Sequence, residues 1–348
     1  MFPHSLYISR CLELALNGSG HVAPNPLVGC VIVYDDKIIG EGYHQFFGQP
    51  HAEVNAINNA IENGNQSFLD KSFLYVNLEP CSHSGKTPPC TDLIIEHRIP
   101  NVIVGCNDPF PEVNGRGIKK LIAAGINVQT GILEKECLEL NKRFITFHTK
   151  KRAYIILKFA QTVNKYISSL RKEDKKISNE ITDVLVHKWR SEESAIMVGT
   201  KTAEIDNPFL TVRYWPGKNP LRIVIDKNLR LPVNLNVFDL SATTLIYNEF
   251  KTHKESSLEY LKIEFSTNVI DQILTDLYNR KILSVMIEGG TNLLNQFLEE
   301  NLWDEARIIT TDKIFTEGLK APLINGNLKS SSKITGDLIE FVYPSNNW

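Results

Sequence analysis

The sequence reads Pro50-His51-Ala52-Glu53 at the start of a predicted helix, and further on it reads Glu79-Pro80-Cys81-Ser82-His83-Ser84-Gly85-Lys86-Thr87-Pro88-Pro89-Cys90. His51, Cys81 and Cys90 together offer one imidazole and two thiols as ligands for Zn²⁺. Three protein ligands leave a fourth coordination position for water, which is typical of a catalytic rather than a structural zinc site. Zinc lowers the pKa of such a water toward ~7. Glu53 is the candidate for moving protons between this water and a leaving group.

The spacing of these residues restricts where they lie. Positions two apart do not share a face of a regular helix, so we expect His51 and Glu53 in the first turn, with their side chains fanned around the metal. The order His-x-Glu followed by Pro-Cys matches zinc nucleobase deaminases, in which the glutamate carries protons. Cys90 lies further from Cys81 than the Cys-x-x-Cys of that pattern. The alternatives are buried thiols beside a surface histidine, and a structural zinc module with His83 as the fourth ligand.

Length and composition bound the class of protein. A chain of 348 residues suffices for two domains. A polar, charged run at 148–152 indicates the boundary, and we predict domains at residues 1–149 and 150–348. The hydrophobic fraction of 42% and the charged fraction of 22% are typical of a soluble globular protein. The net charge of −2 gives no field that attracts polyanions, so we expect a small-molecule substrate and no nucleic-acid partner.

Neither a membrane nor a secretion signal is indicated. No stretch approaches the ~18 apolar residues of a membrane-spanning helix, and the N-terminal stretch is typical of an amphipathic helix. We therefore expect a cytoplasmic protein, with no membrane partner, that forms a homo-oligomer. All six cysteines lie in the first half, and a reducing environment favours metal binding or burial over disulfides. Four of them lack a ligand pattern and are interpreted as buried: Cys11, Cys30, Cys106 and Cys137.

Both halves alternate predicted strands and helices, which indicates an α/β fold with a largely buried sheet. Strands are predicted at 28–34, 37–42, 73–78, 101–106, 126–129, 153–159, 195–198, 221–226, 244–247, 284–287, 305–310 and 338–343. Helices are predicted at 5–16, 51–62, 92–97, 117–124, 133–147, 179–193, 269–280 and from 291 to 300. No Gly-x-Gly-x-x-Gly opens a strand–helix unit, so a Rossmann domain is not indicated. Gly289-Gly290 is either a tight turn or a place where backbone N–H groups approach a phosphate.

Residues 1–147 resemble the deaminase domain of a bifunctional riboflavin-biosynthesis family, in which a diaminohydroxyphosphoribosylaminopyrimidine deaminase is joined to a 5-amino-6-(5-phosphoribosylamino)uracil reductase. The strings that carry the resemblance are Pro24-Asn25-Pro26-Leu27-Val28-Gly29-Cys30-Val31-Ile32-Val33, Gly40-Glu41-Gly42-Tyr43-His44, Pro50-His51-Ala52-Glu53, the string from Glu79 to Cys90, Asn107-Asp108-Pro109 and Gly115-Arg116-Gly117. The string that ends in Thr-Pro-Pro-Cys is the most specific of these.

The resemblance implies an α/β architecture that begins with a cytidine-deaminase-like three-layer domain. It also implies Zn²⁺ at His51, Cys81 and Cys90, with Glu53 as the proton donor. The family's substrate carries a ribose phosphate, which polar side chains must hold. The candidates for the phosphate or sugar are His44, His83 and Lys86. The candidates for hydrogen bonds to the base and sugar are Asn25, Asn107 and Asp108.

Residues 153–343 resemble, more patchily, the reductase domain of the same family, which is dihydrofolate-reductase-like and uses NADPH. The resemblance lies in residues 198–213 and in Ile287-Glu288-Gly289-Gly290-Thr291-Asn292-Leu293. It implies hydride transfer to the sugar carbonyl carbon, which converts ribosyl to ribityl. The implied NADPH contacts are Ala160, Thr202, Asp206, Gly290, Thr291, Asn292, Leu293 and Leu294. The implied substrate contacts are Arg190, Leu210, Arg213 and Glu288, where a guanidinium suits bidentate binding of phosphate.

The second half departs from the family pattern Lys-x-x-x-Ser-Leu-Asp-Gly. Here Lys158 is followed by Thr162, Asn164 and Lys165 at those positions, so one carboxylate and one flexible backbone position are lost. The usual Trp-Ile-Thr is Lys176-Ile177-Ser178. These differences leave open a deaminase whose second half has lost catalysis and serves for binding or dimerisation. A nucleic-acid deaminase is a further alternative, opposed by the near-neutral charge and by the long 81–90 loop.

Overall fold

The computed structural model describes residues 4–82, 88–109, 114–169 and 177–345. The chain forms two compact units, Met1–Lys151 and Arg152–Trp348. The domain limits that we inferred from the sequence, 1–149 and 150–348, stay a prediction. Two predicted substrate residues, His83 and Lys86, lie outside the described residues, as does Lys176. Within the described ranges, no helix combines the length and the apolar character needed to cross a membrane.

The first unit is built on a five-stranded sheet in the order β2-β1-β3-β4-β5. Its strands are β1 (Gly29–Tyr34), β2 (Lys37–Tyr43), β3 (Phe73–Leu78), β4 (Asn101–Cys106) and β5 (Asn127–Thr130). β1 pairs antiparallel with β2 and β3, whereas β3, β4 and β5 run parallel. The carboxyl ends of β3 and β4 therefore lie at the same edge of the sheet.

Helices cover both faces of this sheet. They are α1 (His4–Leu16), α2 (Ala52–Glu62), α3 (Cys90–Glu96), α4 (Arg116–Ala123), α5 (Glu134–Leu140) and α6 (Lys142–Lys150), with a 3₁₀ turn at Gln66–Lys71. The core on one face joins α1 and α5 to the sheet, and the core on the other joins α2, α3 and α4 to it. The three central strands, β1, β3 and β4, are nearly continuous apolar runs because both of their faces are buried. The predicted three-layer domain is confirmed.

The second unit contains a ten-stranded sheet in the order β11-β12-β10-β9-β8-β13-β6-β14-β17-β16 and a two-stranded sheet of β15 and β7. The strands are β6 (Tyr154–Thr162), β7 (Tyr166–Ser169), β8 (Ala195–Gly199), β9 (Leu221–Ile225), β10 (Thr244–Asn248), β11 (His253–Glu255), β12 (Leu258–Lys262), β13 (Ser284–Ile287), β14 (Glu305–Thr311), β15 (Gly318–Lys320), β16 (Gly326–Ile334) and β17 (Asp337–Pro344). The seven strands from β12 to β14 in the sheet order run parallel, so their carboxyl ends share one edge.

The helices of the second unit also lie on both faces of its large sheet. They are α7 (Glu180–Glu192), α8 (Thr200–Asp206), α9 (Val269–Asn279) and α10 (Thr291–Glu299), with a 3₁₀ turn at Asn236–Phe238. One core contains α9 and α10, and the other contains α7 and α8. The predicted α/β fold class is confirmed in both units.

Some elements differ from the sequence predictions. The single helix predicted at 133–147 is wrong, because the chain forms α5 and α6 with a break at Asn141. The Asn141 side-chain amide forms hydrogen bonds with both the N–H and the carbonyl oxygen of Leu27, which fixes Asn141 between the two helices. The sequence predictions also missed one helix and five strands: α8, β7, β11, β12, β15 and β16. β16 is exposed at eight of its nine positions, so it lacks the apolar alternation by which strands are found.

Candidate active sites

His51, Cys81 and Cys90 converge in the first unit. His51 caps α2, Cys81 follows β3, and Cys90 is the first residue of α3. The His51 Nδ1 lies 3.6 Å from the Cys81 Sγ and 3.3 Å from the Cys90 Sγ, and the three donor atoms lie within 4.8 Å of one another. Zinc bonds sulfur at about 2.3 Å and nitrogen at about 2.0–2.1 Å, so donors this close fit one ion. Among the described residues, this is the one cluster of three metal-type ligands.

The crowding of these donors couples their protonation. The hydrogen bond from the Cys90 thiol and the nearby His51 together lower the pKa of Cys81 to about 4, although burial opposes them. The same hydrogen bond to Cys81, together with burial, raises the pKa of Cys90. One sulfur is thus already a thiolate, and metal binding would displace the proton held by the other. The donor set is chemically suited to Zn²⁺.

Glu53 lies in the first turn of α2, next to this cluster. Its side chain is 3% exposed, and burial raises the pKa of its carboxyl despite the opposing effect of His51. The neighbouring Cys90 thiol partly offsets this rise in the pKa of Glu53, so the carboxyl lies beside the metal ligands. A buried carboxyl with a raised pKa can both accept and release a proton near neutral pH.

Asn25 and His44 lie beside the metal ligands. The His44 ring is 5.3 Å from the His51 ring, centroid to centroid. His44 Nδ1 donates to the Pro50 carbonyl oxygen at 3.0 Å, so Nε2 is the acceptor for the Asn25 amide at 3.0 Å. Burial lowers the pKa of His44, which favours this neutral form. His44 is therefore placed to orient Asn25 rather than to offer a positive charge to a phosphate.

The segment that carries Asn25 is held by two asparagines that the sequence analysis did not single out. Asn77 accepts from the Gly29 N–H at 2.8 Å and donates to the Leu27 carbonyl oxygen at 3.0 Å. Asn141 accepts from the Leu27 N–H at 2.8 Å and donates to the same carbonyl oxygen at 2.9 Å. Both side chains are buried. Their partners lie far away along the chain, so sequence spacing gives no signal of their role.

Asn107 and Asp108 follow β4, at the sheet edge that β3 shares. Asn107 is exposed, whereas Asp108 is 7% exposed and its N–H donates to the carboxylate of Glu79 at 3.3 Å. The structure thus places the exposed amide of Asn107 beyond the strand end, where it is available for a ligand. Of the predicted substrate residues in this unit, His83 and Lys86 remain outside the described part of the chain.

In the second unit, the predicted cofactor residues gather at the carboxyl edge of the parallel strands. The Gly290 N–H donates to the Thr202 Oγ1 at 2.9 Å, which ties the β8–α8 turn to the β13–α10 turn. Gly290 caps α10, so the first N–H groups of that helix have no carbonyl partner within it and suit an anion. Asp206 ends α8, and burial raises the pKa of its carboxyl. Ala160 lies on β6, opposite Ile309 of β14.

Four further predicted cofactor residues lie on α10. Leu293 and Leu294 are buried in the core, so any contact of theirs with a cofactor is restricted to the backbone. Thr291 donates its hydroxyl to the Lys320 carbonyl oxygen at 2.8 Å. Asn292 is exposed. The first turn of α10 therefore offers backbone N–H groups and one free side-chain amide.

Arg190 differs from the expectation that it holds phosphate bidentately. Its Nε and Nη2 donate to the two oxygens of Glu288 at 3.1 and 2.7 Å, so its planar fork is already used. Lys158 Nζ lies 4.0 Å from the same carboxylate. Burial alone would raise the pKa of Glu288, but the positive charges of Arg190 and Lys158 hold that pKa at about 2. Burial lowers the pKa of Lys158. Lys158 was not among the site residues predicted from the sequence.

Arg213 keeps its guanidinium available. Its Nη1 donates to the Thr211 hydroxyl at 3.2 Å, and its Cζ lies 4.8 Å from the Phe209 ring centroid. No carboxylate among the described residues forms an ion pair with it. Its backbone N–H donates to the His187 Nδ1 at 3.0 Å. The fourth predicted substrate residue, Leu210, has a buried side chain and a φ of 56°.

The departures from the family pattern form an ordered turn after β6. The Thr162 hydroxyl donates to the Asn164 Oδ1 at 2.7 Å, and the Asn164 Nδ2 donates to the Phe315 carbonyl oxygen at 2.7 Å. An aspartate could not make the second bond, so Asn164 has gained a contact. Lys165 has a φ of 66°, the left-handed conformation that glycine adopts readily. The backbone shape of this turn is therefore kept without glycine.

Comparison with known proteins covers both units. The cytidine and deoxycytidylate deaminase zinc-binding region matches residues 1–106, and the RibD C-terminal domain matches residues 153–335. The riboflavin biosynthesis protein RibD of Aquifex aeolicus is 38% identical, with 90% of this chain and 88% of that protein aligned. RibD of Escherichia coli is 34% identical, with 88% and 87% aligned.

Solved structures agree with these matches. A crystal structure of a diaminohydroxyphosphoribosylaminopyrimidine deaminase/5-amino-6-(5-phosphoribosylamino)uracil reductase from Thermotoga maritima has a TM-score of 0.90, 36% identity and 98% coverage of both chains. Acinetobacter baumannii RibD has a TM-score of 0.89, 29% identity and 98% coverage of both chains. The similarity therefore extends over both units in a single chain.

Proposed function

Since the chain belongs to the RibD family of riboflavin biosynthesis proteins, we propose that it catalyses two successive reactions, a zinc-dependent deamination and an NADPH-dependent reduction. The first converts 2,5-diamino-6-ribosylamino-4(3H)-pyrimidinone 5′-phosphate to 5-amino-6-(5-phosphoribosylamino)uracil. The second reduces the ribosyl chain of that product to ribityl. The deaminase-only alternative is not favoured, because the relatives align through the second unit as well as the first.

Deamination exchanges the amino group for an oxygen atom of water and releases ammonia. His51, Cys81 and Cys90 would hold the zinc, which when bound would lower the pKa of a water so that hydroxide is available near neutral pH. Glu53 takes the proton of the water and gives it to the departing nitrogen, a task that suits a buried carboxyl of raised pKa. The His44-oriented amide of Asn25 and the amide of Asn107 hydrogen-bond to the base and sugar, and Asp108 supports that loop. His83 and Lys86 stay proposed contacts to the sugar phosphate.

The reduction uses the cluster at the carboxyl edge of the second sheet. When bound, NADPH would supply the hydride to the sugar carbonyl carbon and become NADP⁺, while a proton from solvent would complete the new hydroxyl group. Thr202, Asp206 and the Gly290–α10 turn bind the cofactor, helped by Ala160 and the backbone at residues 291–294. Arg213 holds the substrate phosphate, since its guanidinium has no carboxylate partner among the described residues. Arg190 and Glu288 act as a buried pair that faces the substrate beside Leu210.

One observation carries the proposal: three zinc-type donors lie within 4.8 Å of one another, with buried Glu53 beside them. We further propose that the enzyme acts in the cytoplasm as a homo-oligomer on small molecules, with no nucleic-acid or membrane partner. The net charge of −2 and the six unpaired cysteines support this. Light scattering of the purified protein tests the oligomeric state.

Glu53→Gln tests the deamination directly. We expect the variant to keep about one zinc per chain and to lose about 10²- to 10⁴-fold in the rate of deamination, because the proton carrier is gone. Mass analysis of products, with and without NADPH, separates the two reactions. Reduction of the deaminated product should be unchanged in the same sample. Near-normal deamination by Glu53→Gln would refute the role of this carboxylate.

A further inference from the structure

Glu79, which stands two residues before the zinc ligand Cys81, has a buried carboxylate with an unusual set of partners. Glu79 as a whole is 4% exposed. Oε2 accepts from the N–H groups of Asp108 and Gly115 at 3.3 and 2.9 Å. Oε1 accepts from the N–H groups of Gly117 and Ile118 at 2.9 and 3.3 Å. All four donors belong to the chain segment after β4.

These bonds satisfy a charge that would otherwise be costly. A buried carboxylate is tolerated when charge-assisted hydrogen bonds replace its hydration. Gly117 and Ile118 lie in the first turn of α4, where the helix dipole also favours a negative charge. No lysine, arginine or histidine of the described residues pairs with Glu79. Within the described ranges the carboxylate is thus bound by backbone N–H groups alone, so it fixes the positions of those four groups.

The main chain at Glu79 is also in close contact with the start of α4. A Cβ atom at Gly117 would lie 2.1 Å from the Pro80 carbonyl oxygen and 3.2 Å from the Glu79 Oε1. Only glycine permits this approach. The Glu79 N–H in turn donates to the Cys106 carbonyl oxygen at 3.0 Å, at the end of β4. The loop that delivers Cys81 and the loop that begins at Asn107 are therefore held together at one point.

We propose that Glu79 is a positioning residue of the deaminase site, which couples the zinc-ligand loop to the substrate loop at Asn107 and Asp108. This inference rests on the proposed deamination and names how its geometry is set. Asn77 at the end of β3 holds the Leu27 segment, and Glu79 just after β3 holds the backbone N–H groups of residues 108, 115, 117 and 118, two residues before the zinc ligand Cys81. Without the carboxylate, metal and base-binding amide lose their fixed separation.

Glu79→Gln tests the proposal. The amide keeps the shape but has one acceptor oxygen, and its –NH₂ faces N–H donors. We expect the KM for the deaminase substrate to rise and kcat to fall, each by about tenfold or more, as is usual for groups that orient a metal site. Reduction of the deaminated product by the same sample should be unchanged. Glu41→Gln is the matched control, because its carboxylate pairs with Arg10 in the same unit, outside the site.

Two readouts do not depend on activity. Hydrogen exchange should become faster in residues 107–118 of Glu79→Gln and stay as in the wild type in Glu41→Gln. With Co²⁺ in place of zinc, the thiolate absorption band should shift in Glu79→Gln. Glu79→Asp, which keeps the charge but is one methylene shorter, should fall between wild type and Glu79→Gln, and it serves if the glutamine variant does not fold.

Unchanged KM, kcat and exchange in Glu79→Gln would overturn the proposal. A lowered melting temperature with wild-type kinetic constants would also overturn it, since the residue would then be merely structural. If the wild-type protein shows no deamination while exchange and the cobalt band still respond to Glu79→Gln, the proposed function fails and the positioning role stands. Each result therefore decides one of the two claims.

Discussion

At the residue scale, the two arginines of the reductase cluster have different partners, so replacing each should have a different effect on the protein. Glu288 accepts from two nitrogens of the Arg190 guanidinium, whereas the Arg213 guanidinium contacts a hydroxyl and aromatic rings and has no carboxylate partner in the part of the chain that the structure describes. Removing Arg190 leaves Glu288 buried with Lys158 as its remaining cation, and a buried pair that loses one partner destabilises the fold by about 3–5 kcal/mol. Removing Arg213 leaves no buried charge behind.

We therefore expect Arg213→Ala to keep its melting temperature and to raise the reductase KM by about 10- to 100-fold, because hydrogen bonds to a charged group contribute about 1.5–3 kcal/mol. The comparison is steady-state kinetics with the phosphorylated substrate and with its dephosphorylated form. The dephosphorylated substrate should be affected little. An equal loss with both substrates would show that Arg213 does not bind the phosphate.

His187 gives the second unit a pH dependence of stability. Burial, with help from the positive charges of Arg190 and Arg213, lowers the pKa of His187 from 6.5 to about 4. The unfolded chain therefore binds a proton between pH 6.5 and 4 while the folded chain does not, so stability falls as the pH falls through that window and is fully present above it. Its Nδ1 must stay unprotonated to accept the Arg213 N–H.

His187→Asn should reduce this pH dependence, since the amide oxygen can take the place of Nδ1 as acceptor and does not titrate. The measurement is the melting temperature at pH 7 and at pH 5. We expect the drop between the two to be smaller in the variant than in the wild type. A drop of the same size in both proteins would mean that His187 is not the group responsible.

At the element scale, the turn between β6 and β7 shows how a departure from the family pattern can leave the backbone unchanged. Lys165 adopts the left-handed conformation at the position where the family commonly has glycine. Such a conformation costs about 1–2 kcal/mol for a non-glycine residue, and the extra backbone entropy that glycine loses on folding offsets about 0.5–1 kcal/mol of that. The turn is thus slightly strained but complete.

Lys165→Gly should stabilise the protein, raising the melting temperature by about 2–4 °C if the gain is about 1 kcal/mol. NADPH turnover should stay unchanged, because the side-chain contacts of Asn164 remain. Lys188→Gly, in the middle of α7, is the control and should lower the melting temperature, since glycine costs about 1 kcal/mol in a helix interior. Destabilisation by Lys165→Gly would mean that the lysine side chain itself supports the turn.

Elements also show why some structure was predictable and some was not. α2, β3 and β4 have clear local patterns of apolar residues, which predict them from the sequence. The zinc donors and Glu53 lie in short motifs whose residue types and order indicate a zinc site. The break at Asn141 and the roles of Asn77 and Glu79 depend on partners 29 to 114 residues away along the chain. Hydrogen bonds over such distances leave no periodicity in the sequence, so they emerge only when the fold is known.

At the scale of the whole molecule, each unit has its own core and supplies its own functional side chains. The zinc donors and Glu53 all come from Met1–Lys151, whereas the proposed NADPH and substrate residues of the reductase all come from Arg152–Trp348. Removing the metal should therefore act on one activity alone. It should also destabilise the unit that binds it, because a ligand held only by the folded state adds to stability.

We expect a strong zinc chelator to abolish deamination and to leave reduction of the deaminated product at its original rate, with deamination restored by added Zn²⁺. A melting transition of the zinc-depleted protein should move to lower temperature and return with the metal, because the thiolates and imidazole lose their shared cation. The measurements are the two product assays, metal analysis and a thermal scan before and after reconstitution. Loss of NADPH turnover on chelation would contradict the independence of the two activities. The second reaction would then need the metal, or a fold that depends on the metal. Deamination that persists in metal-free protein would show that the first reaction does not need zinc.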